Sequence, residues 1–391
     1  MRAAYKLSAR VPGIVVIAFV ASMVVTATHA NSERVLYSFK GGSDGQWPFA
    51  GVVRDDAGNL YGTTQDGGTG CLTGCGTIYK LAPDGSETIL YRFKGLSDGA
   101  YPLGDLILDQ PSESLYGTTS EGGSHTQNCW DGCGTVFRLS SSGQLTTLYL
   151  FTGGNDGELP TARLVRDKDN NLYGTASIGG ANYVGTIFKL TPKGKFSVLH
   201  TFEGGNSACP ESRLKRNAQG ILYGTAESAC TASSGSVFRL DPDGTFTTLF
   251  AFDGDGGANP YAGLAKDADG NLYGTTRNGG EGNGVVFKVS PDGNETVLHT
   301  FPGGGVKAGN PWSGLMRSRS GKFYGTTEWD GGAGSVFSVT PDGQFSTLYH
   351  FHGSDGNNPT ADLVEDRKGN LYGTTESGGT YGNGTVFTVK E

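Results

Sequence analysis

The chain has 391 residues, of which 66 are glycine and only 15 proline. Glycine at about a sixth without a Gly-X-Y period excludes collagen, and 36% apolar with 10% aromatic residues is too much for a disordered chain. Charged residues reach only 17%, which excludes a coiled coil, and the formal charge of −8 with no basic run argues against nucleic-acid binding.

The first thirty residues differ from the rest. Arg2, Lys6 and Arg10 precede an apolar stretch from Val11 to Val25, followed by the small-residue run Thr26-Ala27-Thr28-His29-Ala30. This predicts a secretory signal over 1–30, cut after Ala30 or Ala27, with an uncleaved anchor as the alternative. Its removal takes away three cations and no acid, so the mature charge is −11. No other stretch approaches the ~18 apolar residues of a membrane span.

From residue 31 onward the chain repeats itself. Tyr-Gly-Thr begins at Tyr61, Tyr116, Tyr173, Tyr223, Tyr273, Tyr324 and Tyr372, with spacings of 48 to 57 residues. Each is followed by a Gly-x-[Val/Ile]-[Phe/Tyr] run, then by a Leu-x-x-Phe run, then by a proline that opens the next unit. A unit reads as four short strands, A to D, typified by Val52–Arg54, Asn59–Thr64, Gly76–Leu81 and Thr88–Phe93. Tight Asp/Gly and Pro-Asp-Gly turns join A to B and C to D. Four antiparallel strands in about 50 residues is the pattern of a β-propeller blade, so residues 31–391 are expected to form one seven-bladed propeller. The segment opens on a D-type strand (Val35–Phe39) and ends on a C-type strand (Gly384–Val389), so the first should complete the last blade. The glycine inside strand B implies close approach of a ring, expected from an adjacent blade.

Long, variable B–C and D–A loops gather on one rim, where binding or chemistry is expected. The loops hold all four tryptophans: Trp47 and Trp312 (D–A), Trp130 and Trp329 (B–C), with Tyr101 and Tyr261 beside them. At the start of strand A one slot holds Gly51, Asp105, Arg163, Arg213, Gly263, Gly314 and Asp362. Asp105 and Arg163 could form a solvated ion pair, or Arg163 and Arg213 could anchor an acidic ligand. The six cysteines predict three disulfides, Cys71–Cys75, Cys129–Cys133 and Cys209–Cys230, with a zinc site shared by the first four as the alternative. Asp253-Gly254-Asp255-Gly256 and Asp267-Ala268-Asp269-Gly270 lack the full calcium loop and read as turns. No catalytic motif, metal site or cofactor site emerges.

The unit Asn-Leu-Tyr-Gly-Thr-Thr, Gly-x-Val-Phe-Lys and Pro-Asp-Gly, typical at residues 271–301, resembles the GloVer tandem-repeat family of exported bacterial proteins. Members of this choice-of-anchor family end in differing surface-sorting signals, whereas this chain stops at Lys390-Glu391 without an apolar tail and reads as released. The resemblance implies no established activity. The Asn-Leu-Tyr strand is also similar to strands of streptogramin-lyase-like propellers, whose acid/base histidine has no counterpart here. The sequence therefore predicts an exported, monomeric binding module for a polysaccharide or envelope component, with Trp47, Tyr101, Trp130, Arg163, Arg213, Tyr261, Trp312 and Trp329 as its ligand-binding residues. The alternatives are a polysaccharide or lactone lyase or hydrolase using Glu211 and His125, and a structural envelope protein.

Overall fold

Alternation of β-branched and aromatic residues between glycine-rich turns leaves each unit one way to bury its apolar side chains, as a small twisted sheet stacked on its neighbours. A computed structural model describes residues 33–127, 129–205, 207–227, 233–303, 309–329 and 331–391. It contains seven antiparallel four-stranded sheets and no α-helix among these residues. The architecture is a seven-bladed β-propeller with strands in A-B-C-D order, as in Val53–Arg54, Leu60–Thr64, Thr77–Leu81 and Glu87–Arg92 of the first blade. In the last blade the outermost strand is Glu33–Ser38, antiparallel to Thr385–Lys390 with Val35 opposite Phe387. The expected signal segment lies outside the described residues.

The repeat motifs have separate tasks. The threonine after each Tyr-Gly donates its hydroxyl to a carbonyl of the next blade's D–A loop: Thr118 to Ala162, Thr225 to Ala262, Thr275 to Ser313. Thr374 of the last blade makes the same bond to Ala50 of the first. The tyrosine hydroxyl donates to an aspartate of the A–B turn, which also accepts from an asparagine, as in Asp55, Asp167, Asp267 and Asp366. Asp267 is thus engaged in turn bonds, and Asp253 likewise accepts from the Gly256 amide.

Phenylalanine and leucine fill the spaces between blades. Ile78 and Phe93 of the first blade pack on Leu106, Leu115 and Phe137 of the second, all essentially without solvent contact. The leucine of each Leu-x-x-Phe run sits at a β-bulge: Leu90 is skipped between the pairs Ile78–Tyr91 and Tyr79–Ile89, and Leu36, Leu148, Leu199, Leu249, Leu298 and Leu348 are skipped in the same way. The ring over the strand-B glycine is not from an adjacent blade. It is the directly opposed aromatic of strand C in the same blade, Phe137 over Gly117 and Phe287 over Gly274. Register explains this, because a residue without a side chain leaves room only for its own cross-strand partner.

Cys71–Cys75 and Cys129–Cys133 are bonded within their own loops, which leaves no thiolates for a shared zinc site. Cys209 is disulfide-bonded, and Cys230 lies outside the described residues. His200 and His299 occupy the tyrosine slot of strand D and stack on Phe246 and Phe345 at 4.0 and 3.7 Å, as parts of the packing.

Candidate functional site

Where the D–A loops enter strand A, they build a cup on the propeller axis. The residue after each repeat proline forms its lip: Phe49, Leu103, Thr161, Glu211, Tyr261, Trp312 and Thr360. Alanine, glycine or serine follows, and the next residue is the charged slot at the floor. The cavity is about 140 Å³. Six interblade threonine bonds end on the small middle tier, and the Thr63 bond ends on Pro102, so the same motif that joins the blades also sets the cup's walls.

At the floor both arginines have carboxylate partners. Arg163 lies 3.9 Å from Asp105 on the neighbouring blade, and Arg213 lies 3.2 Å from Asp362 across the axis. Asp105 and Asp362 each accept the amide hydrogen of a slot glycine in the preceding blade, Gly51 and Gly314, at 2.7 Å. Burial, with the charge of Asp362, raises the Asp105 pKa despite both arginines.

The lip is chemically lopsided. Tyr261 and Trp312 lie with ring centroids 4.6 Å apart, and the Arg277 guanidinium sits 3.9 Å from the Trp312 ring centre. Arg277 is held in turn by Glu328 at 3.5 Å. Glu211 accepts from Tyr261, and burial pushes its carboxyl above the usual range. Glu227, only 6% exposed, is pushed up to about 8 by burial and by the Glu211 charge. It is therefore protonated at neutral pH and able to donate a hydrogen bond. Trp312 Nε1 and Thr161 Oγ1 are buried and have no hydrogen-bond partner among the described residues, a costly state unless something in the cup satisfies them.

Of the residues singled out from sequence, the fold brings Arg163, Arg213, Tyr261 and Trp312 to this cup. Trp47, Tyr101, Trp130 and Trp329 are not part of its lining. Trp47 and Tyr101 precede the repeat proline, where Leu159, Cys209, Asn259, Asn310 and Asn358 also take positive φ, between 48° and 57° across the seven. Their backbone groups hold the loop turn, with the Trp47 carbonyl accepting from both Phe49 and Gln65. Trp130 is 85% exposed on a disulfide loop, and Trp329 is also exposed. Glu211 lines the cup but His125 does not, and the His125 Nδ1 instead contacts the Trp130 carbonyl oxygen at 2.9 Å. Glu227 and Arg277 were missed. A signal existed: the positions just after each proline and just after Tyr-Gly-Thr-[Thr/Ala] change chemical type from unit to unit, while the proline before the first and the Thr/Ala before the second do not.

The raised carboxyls give the stability a sign. Burial raises the folded pKa values of Glu227 (about 8) and of Glu33, Glu87 and Glu295 (each about 7) above the usual glutamate range, so their stabilising contribution is complete below that range and is lost as pH rises from it through 7 to 8. The turn aspartates, including Asp267 and Asp366, act oppositely: their bonds with asparagine and tyrosine outweigh burial and lower their pKa, and their contribution is lost as pH falls below that of free aspartate. Melting temperature is expected to be higher at pH 5 than at pH 8.5. In Glu227→Gln that slope should flatten, by up to about 1.4 kcal/mol per pH unit between the usual glutamate range and the Glu227 midpoint. Parallel slopes in calorimetry of the two proteins would refute the assignment.

A tandem repeat defined by these motifs has a match in sequence. The Gloeobacter/Verrucomicrobia repeat matches residues 22–129, 74–283 and 266–391. The chain belongs to this repeat family. No curated protein matches the repeat chain in sequence. Among solved structures, the repeat is similar to the extracellular domain assigned to a one component system of B. thetaiotaomicron (TM-score 0.56, 11% identity, 90% of this chain and 39% of that one). It is also similar to the extracellular domain assigned to a hybrid two component system of the same organism (0.55, 13%, 92% and 41%). A third is a protein assigned as a 6-phosphogluconolactonase of Bacteroides uniformis (0.51, 16%, 76% and 84%). The chain thus spans about two-fifths of the first two proteins, and at these identities the likeness is one of fold. Among the described residues no helix is long and apolar enough to cross a membrane.

Proposed function

We propose that this repeat protein is an exported binding module and that its axial cup receives a single sugar ring, the end of a polysaccharide or envelope glycan. The observation that carries this reading is the Tyr261–Trp312 pair facing the same cavity as Glu211, with a buried indole N–H left unsatisfied. Sugars present apolar ring faces to aromatic side chains and hydroxyls to carboxyl and indole groups. The cavity is well below the ~300–1,000 Å³ of a drug-sized site, which suits one ring better than a length of chain. The two solved extracellular domains that share the fold support export as the setting.

A glycan screen followed by calorimetry tests it. Trp312→Ala is expected to weaken binding by about 1–3 kcal/mol, while Trp47→Ala, outside the cup, should stay within about 0.5 kcal/mol of the parent. Equal losses in the two variants, or unimpaired binding by Trp312→Ala, would move the site off the axis.

A further inference from the structure

Beneath the cup's charged floor the channel widens into a second cavity of about 390 Å³ that shares Arg163, Arg213 and Asp362 with it and reaches Arg319 of an A–B turn on the opposite rim. One register position decides its character. The strand-A residue paired with the repeat tyrosine is apolar in six blades: Val53, Ile107, Val165, Ala265, Met316 and Val364. These side chains pack on the interblade clusters. In the fourth blade the position opposite Tyr223 is Lys215. Folding does not ask for a charge there, because the other six blades do without one.

We infer that this lower cavity is a second binding site, for a compact oxyanion, a carboxylate or phosphate group, with Lys215 as its anchor. Lys215 is half-buried, and no hydrogen bond or ion pair engages its amine among the described residues. Asp105 and Asp362 are taken up by Arg163 and Arg213. Lys266 rests on the Tyr223 ring at 4.4 Å. What remains is an excess of cations, Lys215, Lys266, Arg317 and Arg319 against Glu365, in a chain whose net charge is negative. Burial, with Arg213, Arg163 and Lys266 around it, holds the Lys215 pKa below the usual amine value, so an incoming anion relieves repulsion as well as forming a charge-assisted bond. The lower cavity reaches the rim opposite the cup, and its anion chemistry is independent of the sugar reading.

Calorimetry of the full mature chain at low ionic strength, with inorganic phosphate and with glucuronate as separate titrants, tests it. Saturable binding of either supports the site, and which titrant binds tells phosphate from carboxylate. Lys215→Met, which copies Met316, is expected to melt no lower than the parent and to lose affinity by about tenfold or more. Trp312→Ala should bind the same anion as the parent does. An absence of saturable binding for both titrants overturns the proposal. So does unchanged affinity in Lys215→Met, or a loss confined to Trp312→Ala.

Discussion

Deleting residues 31–40 should leave a protein that melts early and self-associates. The segment supplies the outermost strand of the last blade, Glu33–Ser38, and Phe39, which is fully buried against Tyr79 of the first blade at a centroid distance of 5.0 Å. Loss of one such aromatic costs about 3–5 kcal/mol, and the backbone bonds to Thr385–Lys390 go with it. Those six residues, Thr-Val-Phe-Thr-Val-Lys, would then present an open β-rich edge, the usual template for aggregation. Thermal melting with light scattering reads both effects. A monomer with an unchanged melting temperature would show that the strand contributes nothing to the last blade.

Gly274→Ala should be among the most damaging small substitutions in the chain. A Cβ there would sit 2.6 Å from Phe287 Cζ and 3.0 Å from Leu264 Cδ2. Phe287 is wholly buried in the cluster shared with Tyr223 and Phe252 and has nowhere to move. Forcing extra atoms into such packing costs up to about 3 kcal/mol, and a loss of about 2–3 is expected in urea denaturation. A change under about 0.5 kcal/mol, the level of an indifferent surface site, would mean that the ring does not lie over the glycine as described.

The sequence was informative where the same chemistry recurs. Tyr-Gly-Thr, the Gly-x-[Val/Ile]-[Phe/Tyr] run and Leu-x-x-Phe each mark a strand, and seven copies in one phase specify the propeller. Within the cup the reading was partial. The Asp105–Arg163 pair follows from neighbouring blades, but the Arg213–Asp362 pair joins the fourth blade to the seventh, a contact that spacing does not announce. Trp47 and Trp312 both flank a repeat proline, yet only the residue after it reaches the lip. The difference lies in a left-handed residue before the proline and a threonine bond from the preceding blade, neither of which is visible as a property of tryptophan. Glu227 was hidden because its significance comes from burial beside another carboxyl, which only the assembled rim produces.

The bulged leucines bear on how this chain behaves in a crowd. A propeller has as many unprotected outer strands as it has blades, and here those strands are rich in threonine, valine and aromatic residues, the composition that favours sheet extension. Each is broken midway by a leucine that drops out of the pairing. The remaining straight stretches are only two or three residues long, too short and too twisted to recruit a foreign strand. The leucine that seals the joint to the next blade also shortens the pairable perimeter, so these edge strands, which carry no lysine, limit strand addition through the bulge instead.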